Sequence, residues 1–352
     1  MGLPPYATTG QRIWYYGFRV ICGLIFFFLV APIVVVMPLS FNAQDFFTFT
    51  PEMLRLDPAG FSLKHYKSFL GEEFLSGGGF PLVGCVIGLA FGGVIATLMF
   101  LREKRGLSLL VPVITFAIIG LIAGKLWGVD GQWITPVKNS LIIAPIATII
   151  SVSLGTLAAI GLSQSHVPGK RLIMAILISP MIVPLIISAT GMFFFYATLG
   201  RFMEDTLGFS QNFVGYFKVV MAHAVLGIPF VIITVTATLV GFDQSLTRAA
   251  ANMGADPVTT FFRVQMPLIL PGVISGGLFA FITSFDEVVV VLFVGTAAQK
   301  TLPWQMFTGL REQISPTILA VATILVVLSV LLLTTVELLR RRSERLRGMS
   351  PG

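Results

Sequence analysis

Asp286 and Glu287 stand side by side about two thirds of the way along an apolar run over 271–295. Paired carboxylates can do acid–base catalysis, hold a metal or meet a cation. Catalysis needs companions that the chain does not supply. His65, His166 and His223 lie far apart, without metal-ligand spacing, and Cys22 and Cys85 sit inside apolar runs. Gly120 to Leu126 imitates a phosphate loop, but three residues rather than four separate Gly120 from Gly124, and no Ser or Thr follows Lys125. The chain is therefore expected to be no enzyme and to bind no nucleotide, metal or other cofactor of its own. A charged residue at mid-bilayer costs about 2.5–3.5 kcal/mol on insertion scales, so it faces a polar cavity or a cation. Helical neighbours point about 100° apart, so the two acids cannot line one passage equally. Asp286 shares a face with Ile282 and Thr283, and Glu287 shares one with Thr283 and Ser284. One acid is expected to face a passage for a cationic solute and the other to pair with a neighbouring helix. A purely structural charge pair is the competing reading.

The elements that position these residues belong in lipid. The chain is 55% hydrophobic and 11% charged, with mean hydropathy +0.92, whereas ordinary soluble domains carry about 25% charged residues. A span needs roughly 20 apolar residues, and eight stretches qualify, near 19–41, 81–101, 108–127, 140–162, 172–198, 217–240, 271–295 and 316–339. The first begins too late and runs too long for a signal peptide and has no small-residue cleavage site, so it is expected to be retained. The net charge of +7 is spread in a way that points away from nucleic acid. With eight spans both termini share one side, and that side holds 14 of the 23 Lys and Arg, including Arg340, Arg341, Arg342, Arg345 and Arg347. The positive-inside rule then places both termini in the cytoplasm.

Residues 1–71 read as an N-terminal span followed by a polar external segment, in which Phe61 to Leu70 suits a short interfacial helix. Residues 72–135 read as an inserted transmembrane hairpin, with Gly84, Gly88, Gly92 and Ala96 on one helix and Gly120, Gly124 and Gly128 on the next. Small residues at this spacing let helices approach closely in lipid. A core follows over 136–340, and 341–352 form a basic tail. Trp127, Trp133, Tyr15 and Tyr16 suit interfacial anchors. His223 reads as a hydrogen-bonded packing residue rather than a proton relay. Pro180, Pro184 and Pro229 leave unpaired carbonyls at membrane depth, tolerated only beside protein or a cavity.

Between two apolar runs lies a polar island at 243–271. Leu246 to Thr260 suits a short helix along the inner face of the membrane. Ala249, Ala250 and Ala251 permit close approach, Gly254 permits a turn, Pro257 restricts the chain after it, and Asp256 can cap a turn. Arg248-Ala249-Ala250-Ala251-Asn252-Met253-Gly254-Ala255-Asp256-Pro257, closing on Pro267, resembles the EAA loop of ABC importer permeases. Asn139-Ser140-Leu141, Gly155-Thr156-Leu157-Ala158-Ala159, Ala222-His223-Ala224-Val225, Ser284-Phe285-Asp286-Glu287, Thr301-Leu302-Pro303 and Ile314-Ser315-Pro316-Thr317 are similar, in order, to the polyamine-type members of that family. In that family the helix bearing Pro180 and Pro184 is usually broken. Two features depart from the pattern: Arg248 replaces the usual glutamate, and residues 72–135 have no counterpart in the six-helix permease.

The resemblance implies an all-α polytopic bundle, the type I ABC importer permease fold with an inserted hairpin and five core helices. It implies a bacterial inner-membrane subunit paired with a second permease subunit, with the pathway between the two. A cytoplasmic ABC ATPase dimer, which binds ATP and Mg, would grip the loop at 246–267 through Arg248, Ala249, Ala250, Gly254, Ala255, Asp256 and Pro267. An extracytoplasmic substrate-binding protein would deliver the solute. The expected solute is a small organic cation of the putrescine or spermidine class, with an opine, amino acid or other small nitrogenous compound as rival. An ion-coupled secondary transporter is the reading from another class; its inverted repeats and several embedded charges are not found in the sequence.

Overall fold

The computed structural model describes residues 8–71, 86, 124–126, 129–163, 167–243, 245–312, 315–327 and 329–330. Their regular structure is helical apart from one isolated bridge between Asn42 and Phe61. The expected hairpin, with its glycine stripes, lies almost wholly outside these residues. Among the described residues five helices are long and apolar enough to cross a membrane, and Thr317–Val327 is a shorter apolar helix. The chain divides into two units, Met1–Glu72 with Gly309–Gly352, and Glu73–Thr308.

In the first unit α1 (Thr9–Leu39) opens on a capping box. Thr8 accepts from the Gln11 amide, and the Gln11 side chain accepts from the Thr8 amide. Nearly every α1 side chain is exposed, as suits a helix whose surroundings are lipid. Tyr16 on its first turns is exposed and Tyr15 half-buried. The following segment folds back on itself. Asn42 Nδ2 donates to the carbonyls of Phe46 and Thr48, and the Ser40 hydroxyl meets that of Tyr66 at 2.6 Å. The expected helix at Phe61 to Leu70 is shorter, α2 (Lys64–Leu70), and its His65 and Phe69 are buried within this fold.

The second unit contains α3 (Ile134–Ser163), α4 (Lys170–Ile182), α5 (Leu185–Asp205), α6 (Gln211–Val240), α7 (Ser245–Asn252), α8 (Met266–Phe285) and α9 (Val289–Val294). The helix α10 (Leu302–Glu312) follows. The 172–198 run is thus two helices. Pro184 bars its predecessor from helical geometry, and Val183 is extended at φ −69°, ψ 136°. Pro180 lies inside α4 and Pro229 inside α6, so only Pro184 marks a break. Trp133, expected at the lipid interface, is instead buried at 7% exposure beside the start of α3.

α3, α6 and α8 pack together along their lengths, around Ala159, Val231, Val235, Ile269, Val273 and Ala280. Glycine makes the approach possible. A Cβ on Gly276 would meet Thr234 Oγ1 and lie 2.8 Å from Val231 Cα on α6. That backbone cannot yield as a flexible side chain would. Gly276→Ala is therefore expected to destabilise the subunit by about 1–3 kcal/mol, the usual cost of overpacking. The readout is the midpoint of thermal unfolding in detergent, and an unchanged midpoint would show that the helices are not in contact there.

Candidate functional site

The 271–295 run, expected as one span, is also broken. α8 ends at Phe285, Asp286 leaves the helix at φ −94°, ψ 1°, and α9 begins at Val289. No proline causes this. The buried Glu287 folds its carboxylate back, so that Oε1 accepts the Val290 amide at 2.9 Å and caps α9. Leu185 and Val289, the first residues of α5 and α9, pack onto one buried cluster containing Ala189, Tyr196, Val219, Val220 and Val290. Both broken spans thus rest on the same core.

Depth follows from α6. His223 is the thirteenth of its 30 residues, about 18 Å along the helix at 1.5 Å per residue. Its Nδ1 lies 2.8 Å from Ser284 Oγ in the last turn of α8. The break is therefore at the level of the middle of α6. The four expected pathway residues separate here. Ser284 and Glu287 are buried at 4% and 7% exposure, Thr283 is half-buried, and Asp286 is exposed. Among the described residues the Asp286 carboxylate has no ion-pair or hydrogen-bond partner. Glu287 turns Oε1 to the backbone, and among the described residues Asp286 makes no such bond.

Motifs that lie far apart in sequence meet beyond the break. Asn139 Nδ2 donates to the carbonyls of Ala298 (2.9 Å) and Lys300 (2.8 Å), while its Oδ1 accepts from Tyr216. Ser140 Oγ accepts the Leu302 amide at 2.9 Å. The Asn-Ser pair at the start of α3 thereby pins the loop that carries Thr301-Leu302-Pro303. The buried Gln299 sits against Gly215 and donates to Asn212 at the start of α6. Sequence reasoning noted Asn139 but missed Tyr216 and Gln299, whose partners lie 77 or more residues away.

At the other end of α6 and α8 lies the polar island. The single helix expected over Leu246–Thr260 is two. α7 stops at Asn252, because Gly254 takes φ +83°, a left-handed value that glycine adopts freely. Gly254 N–H donates to Ala251 O (2.9 Å) and Ala255 N–H to Ala250 O (3.0 Å), a Schellman closure. Asp256 then caps the next turn by accepting from the Thr259 amide, and Pro257 fills its first position. Bonds from Thr259, its side chain first and then its amide, hold the Asp256 carboxyl below the usual carboxylate range, as bonds from Ser245 first, and then the Arg248 charge, do for Asp243. A π-turn, Phe261–Gln265, leads into α8 with Pro267 in its first turn. The knob exposes Arg248, Ala249, Asp256, Met253 (84%), Val258 (62%) and Phe262 (61%), while Ala250 is buried at 5% and Ala255 is half-buried. The knob thus carries an apolar tip on an otherwise polar loop.

Membrane-length helices, two breaks over one core and an exposed knob joining the close-packed α6 and α8 are together consistent with a membrane transport subunit. The comparisons give its family. The model of the family "Binding-protein-dependent transport system inner membrane component" matches residues 151–345. The spermidine/putrescine transport system permease protein PotC of Haemophilus influenzae is 32% identical over 206 residues, covering 58% of this chain and 76% of that protein. The putrescine transport system permease protein PotI of Escherichia coli is 29% identical over 197 residues, covering 56% and 68%. A chain in the crystal structure of a bacterial ABC transporter, one involved in import of the acidic polysaccharide alginate, superposes with TM-score 0.57 at 15% identity, covering 95% of this chain and 98% of that one. The chain belongs to the family of binding-protein-dependent transport system inner membrane components, and its fold is the type I ABC permease fold.

Proposed function

We propose that the chain forms half of the passage of an ATP-driven importer for a small organic cation of the putrescine and spermidine class. The observation that carries the reading is the exposed Asp286 carboxylate at a mid-span break, unpaired among the described residues, in a chain whose matched relatives are named polyamine permeases. The fold is shared with a transporter of an acidic polysaccharide, so the choice of solute falls to side chains such as Asp286 rather than to the architecture. A dication would meet one carboxylate at the break, with Thr283 beside it. A second permease subunit would supply the facing wall, and an external binding protein would deliver the solute. Both termini would lie in the cytoplasm, on the side of the knob at 243–271.

A cytoplasmic ATPase dimer holding ATP and Mg would grip that knob through Arg248, Ala249, Gly254, Ala255 and Asp256. Ala250 would hold the knob's shape from within, and Pro267 would start α8. α7 is joined directly to α6 and, through the π-turn, to α8, which ends at the break. Force at the knob would reach Asp286 along these two close-packed helices, provided the partner contacts the knob differently in its two nucleotide states. The test is putrescine uptake by the complete assembly in proteoliposomes. Uptake should require ATP and all four kinds of component. Uptake by this chain alone, driven by an ion gradient, would assign it to secondary transporters instead.

A further inference from the structure

His223 is a buried ionisable side chain to which nothing above gives a task. It is 1% exposed, its Nδ1 is bonded to Ser284, and its Nε2 is buried with no hydrogen-bond partner among the described residues. A buried polar atom left unpaired is costly, so a position retained as histidine for packing alone would be better filled by an apolar residue of similar size. The bond it does make falls on a consequential place. Ser284 is in the last turn of α8, two residues before Asp286, and its bond crosses from α6 to the point where α8 ends. On the far side of Asp286, Glu287 caps α9 through the Val290 amide. The break is thus pinned on both flanks by buried side chains, and Asp286 is the exposed residue between the pins.

We infer that His223 is a positioning residue, which through Ser284 fixes where α8 ends and so where the Asp286 carboxylate stands. The inference rests on the reading of Asp286 as the group that meets the solute. In geometry the task needs only the δ nitrogen of His223. Asparagine places an amide group, able to donate or accept, near the position of Nδ1 and has nothing at Nε2, whereas leucine keeps the bulk and loses the bond. This separates a hydrogen-bonding role from a packing role at one site.

The experiment is putrescine uptake at varied concentration by the full assembly, with co-purification of the ATPase as the check that each variant has assembled. Ser284→Ala and His223→Leu should each raise KM about three- to tenfold, the worth of one lost hydrogen bond, and should change kcat less than KM. The double variant should be no worse than either single one, because both remove the same bond. His223→Asn should restore KM to within about twofold of the unaltered protein, the margin of independent, non-coupled change. Additive effects, or a His223→Asn variant as impaired as His223→Leu, would overturn the inference, as would losses confined to kcat. Should His223→Leu fail to assemble, Ser284→Ala and His223→Asn decide on the same terms. An Asp286→Asn variant run alongside separates two failures. If it raises KM while the pair variants do not, only the positioning role falls; if it leaves KM unmoved, the solute-binding role of Asp286 falls first and the positioning role with it.

Discussion

Asp286→Asn is expected to raise the half-saturating putrescine concentration roughly 10- to 150-fold, the loss of a charge-assisted hydrogen bond worth about 1.5–3 kcal/mol. Stability should move the other way or stay put. An exposed carboxylate at mid-span, without a partner among the described residues, costs free energy to insert, and the amide relieves that cost. The opposed signs distinguish a solute ligand from a structural ion pair, whose loss would lower stability and transport together. Glu287 should behave in the reverse manner. Its carboxylate accepts the Val290 amide, so Glu287→Leu leaves that amide unpaired and should destabilise the subunit by about 1–3 kcal/mol, whereas glutamine keeps an acceptor and should be tolerated. Putrescine uptake curves and thermal unfolding midpoints for these variants check the division of labour.

Gly254→Val is expected to cut ATP-coupled uptake sharply while leaving the helices in the membrane intact. At φ +83° any L side chain is strained, and a β-branched one most of all. The left-handed conformation costs a non-glycine residue about 1–2 kcal/mol, a factor of roughly 5–30 in an equilibrium. A Cβ there has open space within 4 Å, so the penalty is purely one of backbone geometry. Gly254→Asn supplies the control, since asparagine visits this region at low cost and should retain most of the uptake. Equal loss with valine and asparagine would point to a side-chain clash with the partner rather than to the shape of the turn.

Much of this was legible in the residues, and what was not has physical causes. The helical membrane bundle follows from apolar run lengths, whereas the break in the 172–198 run is implied by resemblance alone, which marks Pro180 and Pro184 alike; of the two, only Pro184 stands at the break. The break at Asp286 was hidden, because no glycine or proline announces it; a glutamate that caps the next helix from inside the fold leaves no local signature. The knob shows its turn residue, Gly254, in the sequence, but the flanking alanines favour helix on either side and hide where the helix stops. Small-residue spacing drew attention to 81–128, which lies almost wholly outside the described residues. The seam seen in the structure uses Gly272 and Gly276 on α8, whose four-residue spacing was equally visible. Asn139 stood out through resemblance alone; its reason, a clamp on the loop at 298–302, requires a partner about 160 residues away. No local pattern encodes such a contact.

On this account the knob around Gly254 is the handle by which an ATPase would move the passage. Met253, 84% exposed at its tip, is the place to test it. With Cys22 and Cys85 replaced by serine, Met253→Cys carrying a short bifunctional crosslinker should join this chain to an ATP-hydrolysing subunit in native membranes. The yield should change between the nucleotide-free state and a state locked with a non-hydrolysable ATP analogue. A crosslink to no ATPase in either state, while the assembly still transports, would contradict the account.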